Sequence, residues 1–258
     1  MRILRITNSD DLNPSVPESL RSPAVAERIL AEATGESSET VVRIIWPGPT
    51  LPGLIDEWIV RYQPDLILLV VTSFWFTYES VPLKIEREFG PIGRPIARAG
   101  YRAAGNPTFS QSRLFHAGRR LALRTIGGAV HFTPEQVVGT IEACVRTILA
   151  HENVALVVRG PYAAFTSDAG SSARQRAERR WFEVHGAVER LCRQLHVEYI
   201  SFEKPVSNEN DRGRFQGDFV HVTEEGHRER AEAEARAMLA AWRKLRGETG
   251  GGGGNRKS

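Results

Sequence analysis

The stretch PDLILLVV, residues 64–71, decides the fold class of this chain. Six consecutive apolar residues follow Pro64 and Asp65, and the run is far too short to span a membrane. It predicts a fully buried strand. The run VALVV at residues 154–158, which Arg159-Gly160-Pro161 ends, predicts a second strand of the same kind.

Strand-like and helical segments alternate around these two runs. Residues 3–6, 41–46 and 197–202 predict three more strands, and helical spacing appears at 54–62, after Thr133, at 174–195 and at 223–245. This alternation predicts a three-layer α/β fold with a five-stranded parallel sheet in flavodoxin-like order. We assign residues 1–246 to a single domain and the Gly-rich residues 247–258 to a flexible tail.

The composition is that of an ordinary globular protein, with 41% hydrophobic and 25% charged residues among 258. A formal net charge of +3 does not indicate a nucleic acid partner. No apolar run has membrane-spanning length and no signal segment precedes the first strand, so we expect a cytoplasmic location. Cys144 and Cys192 are expected to be buried free thiols. The histidine spacing does not suggest a metal site, and no cofactor is expected.

Residues 82–132 form a basic insertion between the third strand and the next helix. Between residues 84 and 124 nine basic residues stand against two acidic ones, a net charge of +7. Arg94, Arg98 and Arg102 fall four residues apart, on one helical face. One interpretation is a solvated helical insertion. The other is a lid, or a surface that contacts an acidic partner, a substrate or an anionic membrane.

Two polar segments near opposite ends of the sequence carry candidate catalytic residues. Ser9 follows the first strand among loop-forming residues, at the edge of the sheet where α/β proteins bind ligands, and its alternative role is a turn-forming serine that caps the next helix. Asp218 and His221 stand in DFVHVTEEGH, residues 218–227, just before the last helix. A carboxylate placed in this way can orient an imidazole whose other nitrogen activates a hydroxyl. Taken alone, the pair also fits a solvated loop or a helix cap.

A serine after the first strand and an Asp-x-x-His before the last helix together resemble the SGNH hydrolases, also called GDSL esterases and lipases. The resemblance is specific in residues 218–227 and extends, in the order of elements, over most of the chain. It implies that Ser9 is the nucleophile, His221 the general base and Asp218 the residue that orients the imidazole. Thr7-Asn8 stands where the family has Gly-Asp.

The resemblance also implies an oxyanion hole. The Ser9 backbone N–H is one donor, and Gly48, after the second strand, matches the family's second block, with a plain turn glycine as the alternative. The family carries Gly-x-Asn after its third strand, but residues 72–78 here read TSFWFTY, without the asparagine. Ser73 or Phe74 takes its place, depending on register.

Three residues are predicted to bind substrate. Phe74 would line an apolar pocket, or would only pack under the basic insertion. Arg159 and Tyr162 would bind a carboxylate or phosphate group, with a structural role as the alternative. We therefore expect a serine hydrolase that cleaves a carboxylic ester, either a small acyl ester or an O-acetylated sugar. An acyltransferase with the same triad is one alternative, and a binding protein on a degenerate hydrolase scaffold is another.

Overall fold

The computed structural model describes residues 1–105, 113–162, 171–202, 213–215 and 221–247. Its centre is a parallel sheet with the strand order β2-β1-β3-β4-β5. This is the flavodoxin-like order, so the predicted fold class is confirmed. The strands are β1 (Arg2–Thr7), β2 (Glu39–Ile44), β3 (Leu66–Val70), β4 (Ala155–Arg159) and β5 (Glu198–Ile200).

Helices connect the strands and cover both faces of the sheet. In the described residues they are α1 (Ser22–Thr34), α2 (Leu51–Tyr62), α3 (Phe74–Thr77), α4 (Val81–Gly105), α5 (Arg113–Thr125), α6 (Pro134–Leu149), α7 (Ser171–Gln194) and α8 (Glu224–Leu245). Two short 3-10 turns, Ser9–Leu12 and Glu18–Leu20, lie between β1 and α1.

The side chains of β3 alternate between two hydrophobic cores. Ile67 and Leu69 pack in a core with α2, α6 and α7, whereas Leu66, Leu68 and Val70 pack in a second core with α1 and α8. All five are 0% exposed. Each side chain of this size gains about 1.5–3 kcal/mol from full burial. The unbroken apolar run that predicted β3 is therefore a consequence of helices on both faces.

Two elements differ from the sequence-based prediction. We predicted no helix for residues 22–34, yet α1 fills them, with Pro23 in its first turn and Gly35 ending it at φ 69°. Both are ordinary signals of helix ends. The strand predicted at 197–202 is only three residues long in β5, which is an edge strand with exposed Glu198 at its start.

Helix starts follow the predicted pattern. Thr133 forms a capping box with Gln136 at the start of α6. Thr223 accepts a hydrogen bond from the Gly226 N–H at the start of α8 and is the N-cap of this helix. The loop that carries His221 therefore ends at a fixed point, immediately before α8.

The basic insertion is helical, and its first helix is bent back on itself. At Gly90, φ is 51° and ψ is −129°, values outside any helix. A Cβ on Gly100 would lie 2.7 Å from the Pro82 ring. In a straight helix these two residues would be about 27 Å apart. The two halves of α4 therefore form a helical hairpin. A bridge between Ser80 and Ala129 joins the two ends of the insertion.

The two cysteines have the predicted state. Cys144 and Cys192 are buried free thiols, as expected, and burial raises the pKa of each to about 12. Within the described ranges, no helix combines the length and apolar character needed to cross a bilayer. In the same ranges, His, Cys, Asp and Glu side chains do not gather in a group of three or more that could hold a metal.

A buried histidine joins α1 to α8. His227 is 0% exposed, and its Nδ1 accepts a hydrogen bond from the Ser22 backbone N–H (3.2 Å) and pairs with the Ser22 hydroxyl (2.8 Å). Because Nδ1 accepts, the proton of the neutral ring lies on Nε2. Burial, and after it the Arg230 guanidinium, lowers the pKa of His227 to about 4. The folded protein therefore keeps this ring neutral.

Acidification should destabilise the protein through His227. The unfolded chain protonates this ring below about pH 6.5 and the folded chain only below about pH 4, so stability falls as the pH drops between these values. We expect urea denaturation to show that His227 lowers the free energy of unfolding by about 2 kcal/mol between pH 7 and pH 5. His227→Asn keeps a hydrogen-bond acceptor for Ser22 but does not titrate. The free energy of unfolding of this variant should therefore change less between pH 7 and pH 5. An unchanged slope would contradict the assignment.

Candidate active site

Ser9 lies where β1 reaches the carboxyl edge of the sheet. It begins the 3-10 turn that follows β1 and Asn8, and it is exposed. The Asn8 side-chain amide donates a hydrogen bond to the Thr72 hydroxyl (3.3 Å), which joins the loop after β1 to the loop after β3. The loop that carries Ser9 and the loop that carries Ser73 and Phe74 are thus neighbours.

The segment that carries His221 is tied to the Ser9 turn. The Val222 backbone N–H donates a hydrogen bond to the Asp10 carboxylate (3.1 Å), across 212 positions of sequence. Ser9 directly precedes Asp10, and the partly buried His221 directly precedes Val222. This hydrogen bond therefore brings the two predicted catalytic segments together. Asp218 lies outside the described residues.

An aromatic wall stands after β2 and β3. Trp46, which is 52% exposed, contacts Phe74 and His131 edge-on, with ring centroids 6.2 and 5.1 Å away. Phe74 stacks on Tyr78 and on His131, at 4.7 and 5.6 Å. The aromatic wall consists of these four residues and Phe132, which lies 6.1 Å from Trp46. An exposed tryptophan in such a cluster offers a flat apolar surface to a ligand.

Gly48 and Ser73 each lie two positions or fewer from the aromatic wall in sequence. Gly48 is in the turn before α2, and its carbonyl accepts from the Leu51 N–H (3.1 Å). A Cβ on Gly48 would meet no atom within 4 Å, so packing does not require glycine there. Ser73 is partly buried and precedes α3, but its side chain makes no capping hydrogen bond. The Ser73 hydroxyl is therefore not committed to the helix.

Solved structures share this architecture. A member of the lipolytic G-D-S-L family from Veillonella parvula has 14% identity, coverage of 93% of this chain and 98% of its own, and a TM-score of 0.51. A carbohydrate acetylesterase from Sinorhizobium meliloti has 12% identity, coverage of 93% and 98%, and a TM-score of 0.53. An aryl esterase from M. smegmatis has 13% identity, coverage of 93% and 99%, and a TM-score of 0.52. No sequence-family model and no curated protein sequence matches the chain.

The fold is that of the SGNH hydrolases.

Beneath the Ser9 turn, this SGNH fold contains a buried cluster of charges. Arg5 of β1 donates from Nε to Asp11 (2.6 Å), and from Nη1 and Nη2 to Glu234 of α8 (2.7 and 3.0 Å). The Arg5 side chain is 1% exposed and both carboxylates are 0% exposed. Charges buried this deeply are stable only when they are paired and hydrogen-bonded, as these are.

Arg230 and Arg159 complete the cluster. Arg230 donates to Asp11 (2.9 Å) and to Asp10, while Arg159 donates to Glu234 (2.5 Å). Burial alone would raise the pKa of Asp11, but the surrounding guanidinium groups hold it well below its usual range. We call this group the ion network; its members are Arg5, Arg159, Arg230, Asp10, Asp11 and Glu234.

Asp10 connects the ion network to the segments that carry Ser9 and His221. Its Oδ2 accepts from Arg230, and its Oδ1 accepts from the Val222 backbone N–H. Sequence reasoning did not identify this role. The available signals were two adjacent aspartates after a strand, and an Arg230–Glu234 pair one turn apart in an alanine-rich helix.

The ion network changes the interpretation of Arg159 and Tyr162. Arg159 is 3% exposed and paired within the network, and these contacts favour its structural alternative over binding of a substrate anion. Tyr162 packs on Phe202 and Phe215, with ring centroids 4.1 and 5.5 Å away, and burial raises its pKa. Its ring centroid is 5.7 Å from the Arg159 guanidinium. Both residues thus pack at the base of the site.

Removing one member of the ion network should destabilise the whole domain. Glu234→Ala leaves the buried guanidinium groups of Arg5 and Arg159 without the carboxylate that they share. We expect urea denaturation to show a free energy of unfolding lower by about 3–5 kcal/mol. Glu232→Ala is the matched control, because Glu232 is an exposed glutamate on the same helix. It should change stability by less than about 0.5 kcal/mol. Similar losses in both variants would contradict this account of the network.

Proposed function

We propose that this protein is a serine hydrolase that cleaves a carboxylic ester with Ser9, His221 and Asp218. The observation that carries the proposal is the hydrogen bond from the Val222 N–H to Asp10, which ties the segment bearing His221 to the turn bearing Ser9. The SGNH fold and the esterase names of its structural neighbours support the same reaction class. Asp218 enters the proposal from the sequence alone.

In the proposed reaction, His221 takes the proton of the Ser9 hydroxyl as the oxygen attacks the ester carbonyl. The tetrahedral intermediate collapses, the C–O bond to the alcohol breaks, and His221 returns the proton to the leaving alcohol. Water, deprotonated by His221, then attacks the acyl-enzyme. The bond from the acyl carbon to Ser9 Oγ breaks, His221 returns the proton to that oxygen, and the acid is freed. Asp218 keeps the imidazole in the required tautomer and stabilises its charged form.

The proposed oxyanion hole has three donors, which are the backbone N–H groups of Ser9 and Gly48 and the Ser73 hydroxyl. The hydrogen bond between Asn8 and Thr72 supports this arrangement, because it holds the loop before Ser73 against the loop that carries Ser9. Open space next to Gly48 leaves room for a ligand. A hydroxyl donor is weaker than the amide of the family because it must first be oriented.

The aromatic wall supports a substrate that presents a flat face. Trp46 and Phe74 lie beside Gly48 and Ser73 in sequence, and a sugar ring or an aryl group would pack against an exposed indole. We therefore favour a small acyl ester or an O-acetylated sugar as the substrate. The two buried free thiols, Cys144 and Cys192, fit a reducing, cytoplasmic compartment.

The chain contains a second serine–histidine contact that must be distinguished from the proposed one. Ser22 and His227 are hydrogen-bonded at 2.8 Å, but both are 0% exposed. A substrate carbonyl therefore has no access to the Ser22 hydroxyl. Ser9 is exposed, and we propose it as the nucleophile for that reason.

Loss of either reacting group should abolish ester hydrolysis. Ser9→Ala and His221→Ala should each lower the rate on p-nitrophenyl acetate by about 10³-fold or more, and the double variant should lose little further, because the members of a triad act as a unit. The matched control is Ser22→Ala, which should melt at a lower temperature but retain the rate. A serine-reactive phosphonate should label the wild type and not Ser9→Ala.

Two outcomes would reject this assignment. Undiminished hydrolysis by folded Ser9→Ala would move the nucleophile elsewhere. Absence of phosphonate labelling in the wild type would favour the binding protein on a degenerate scaffold.

The third oxyanion donor can be tested separately. Ser73→Ala should lower kcat by about ten- to a hundredfold with KM nearly unchanged, because the oxyanion contact forms in the transition state. Phe74→Asn tests the other register and should raise the rate if the amide reaches the oxyanion. Thermal melting separates these effects from unfolding. If neither variant changes the rate in a folded protein, the third donor lies elsewhere.

A further inference from the structure

Exposed apolar side chains are concentrated on the basic insertion. Of the sixteen large exposed apolar residues in the described parts of the chain, seven lie between residues 89 and 126. The two most exposed are Ile92, at 84%, and Leu114, at 77%. Single exposed apolar residues are normal, whereas a concentration of them indicates a surface that another molecule covers.

The helical hairpin of α4 displays its apolar residues at and near its reversal. Phe89 and Ile92 flank the break at Gly90 and are 58% and 84% exposed. Ile96, at 61%, follows Ile92 by one helical turn on the same face. A Cβ on Gly93 would lie 2.5 Å from the backbone oxygen of Ile85, so the two halves pack through a small residue. The large apolar side chains are left outside this contact.

Arginines occupy another face of the same half of α4. Arg94 and Arg98 are exposed, and neither forms an ion pair with another described residue. With 3.6 residues per turn, they lie about 200° around the helix axis from Ile92 and Ile96, respectively. An apolar face and a basic face on one helix are typical of helices that lie in the headgroup region of a bilayer.

The second helix of the insertion repeats this composition. On α5, Leu114 and Leu121 are 77% and 63% exposed, and Arg120 and Arg124 are exposed near them in sequence. The leucines are seven residues apart, which places them on one face of the helix.

Helices α4 and α5 of the insertion are fixed to the aromatic wall and the residue before it. Arg87 donates to the carbonyls of Val130 and His131 (2.9 and 3.0 Å), and the Arg119 guanidinium lies over the Tyr78 ring at 4.7 Å. A molecule bound to the insertion would therefore be held at a defined position relative to this wall.

We propose that Phe89, Ile92, Ile96, Leu114 and Leu121 form a docking surface for an anionic phospholipid bilayer. Acyl chains cover the apolar side chains, and anionic headgroups compensate the net charge of +7 between residues 84 and 124. Charge complementarity favours this occupant over a second copy of the chain. Two copies that met through the same surface would bring like charges together.

The proposal is tested by sedimentation with vesicles, without any substrate, so it is independent of the proposed function. Wild-type protein should sediment with vesicles of phosphatidylcholine and phosphatidylglycerol, and not with phosphatidylcholine alone. Ile92→Ser combined with Ile96→Ser should weaken this partitioning by about twentyfold or more. Arg94→Gln combined with Arg98→Gln should weaken it by about twentyfold at low salt, from roughly fivefold for each charge.

Matched controls come from exposed positions elsewhere on the fold. Val60→Ser, at a residue 68% exposed on α2, and Arg193→Gln, at a side chain 73% exposed on α7, should both leave partitioning within about twofold of the wild type. Melting temperatures should match in all variants, because every substituted residue is exposed. Hydrolysis of soluble p-nitrophenyl acetate should also be unchanged.

Several results would overturn the proposal. One is wild-type protein that stays in solution with the anionic vesicles at low salt; another is equal sedimentation of the Ile92→Ser/Ile96→Ser variant and the wild type. Equal sedimentation of the wild-type protein with neutral and with anionic vesicles would show that the charge of the insertion does not contribute to binding. A wild-type dimer in light scattering that the isoleucine variant dissociates would assign the surface to a second copy instead.

Discussion

Glu234 of α8 accepts hydrogen bonds from Arg5 of β1 and Arg159 of β4, in a place where none of the three side chains is more than 3% exposed. This interaction fixes the last helix against two strands of the sheet. The same helix supplies Arg230, which binds both aspartates of the Ser9 turn. Each charge depends on the others, since a single buried ion without its partner costs several kcal/mol. The position of the Ser9 turn is therefore set by charge pairing as well as by apolar packing.

The ion network also shows why sequence alone leaves two roles open for a residue such as Arg159. An arginine at the carboxyl end of a strand has the same local signature whether its partner is a substrate anion or a protein carboxylate. For Arg159 the partner is Glu234, 75 positions later. Arg5 pairs with the same carboxylate across 229 positions. No periodicity or spacing within a short window encodes such a pairing, so it became visible only in three dimensions.

Features that depend on residues close together in sequence were, by contrast, predicted. The five strands, the helix starts near Thr133 and Thr223 and the helical insertion were all predicted, because each depends on neighbours in sequence. Ser9 lies at the carboxyl edge of the sheet because β1 ends shortly before it. The hydrogen bond between Asp10 and Val222 holds the segment that carries His221 next to the Ser9 turn. The helix α1 was missed although Pro23 and Gly35 mark its ends, and the aromatic wall was only partly foreseen, since Trp46 and His131 come from other segments than Phe74.

The long sequence separation within the ion network bears on how the protein is made. During synthesis Arg5 emerges first, and its partner Glu234 follows 229 residues later. At about 5–20 residues per second the ribosome needs roughly 10–50 s to cover that distance. Until then the guanidinium has no protein counter-charge from α8 and stays hydrated, which disfavours burial of the β1 end of the site. The nascent chain should therefore remain without a finished Ser9 turn until α8 has left the ribosome.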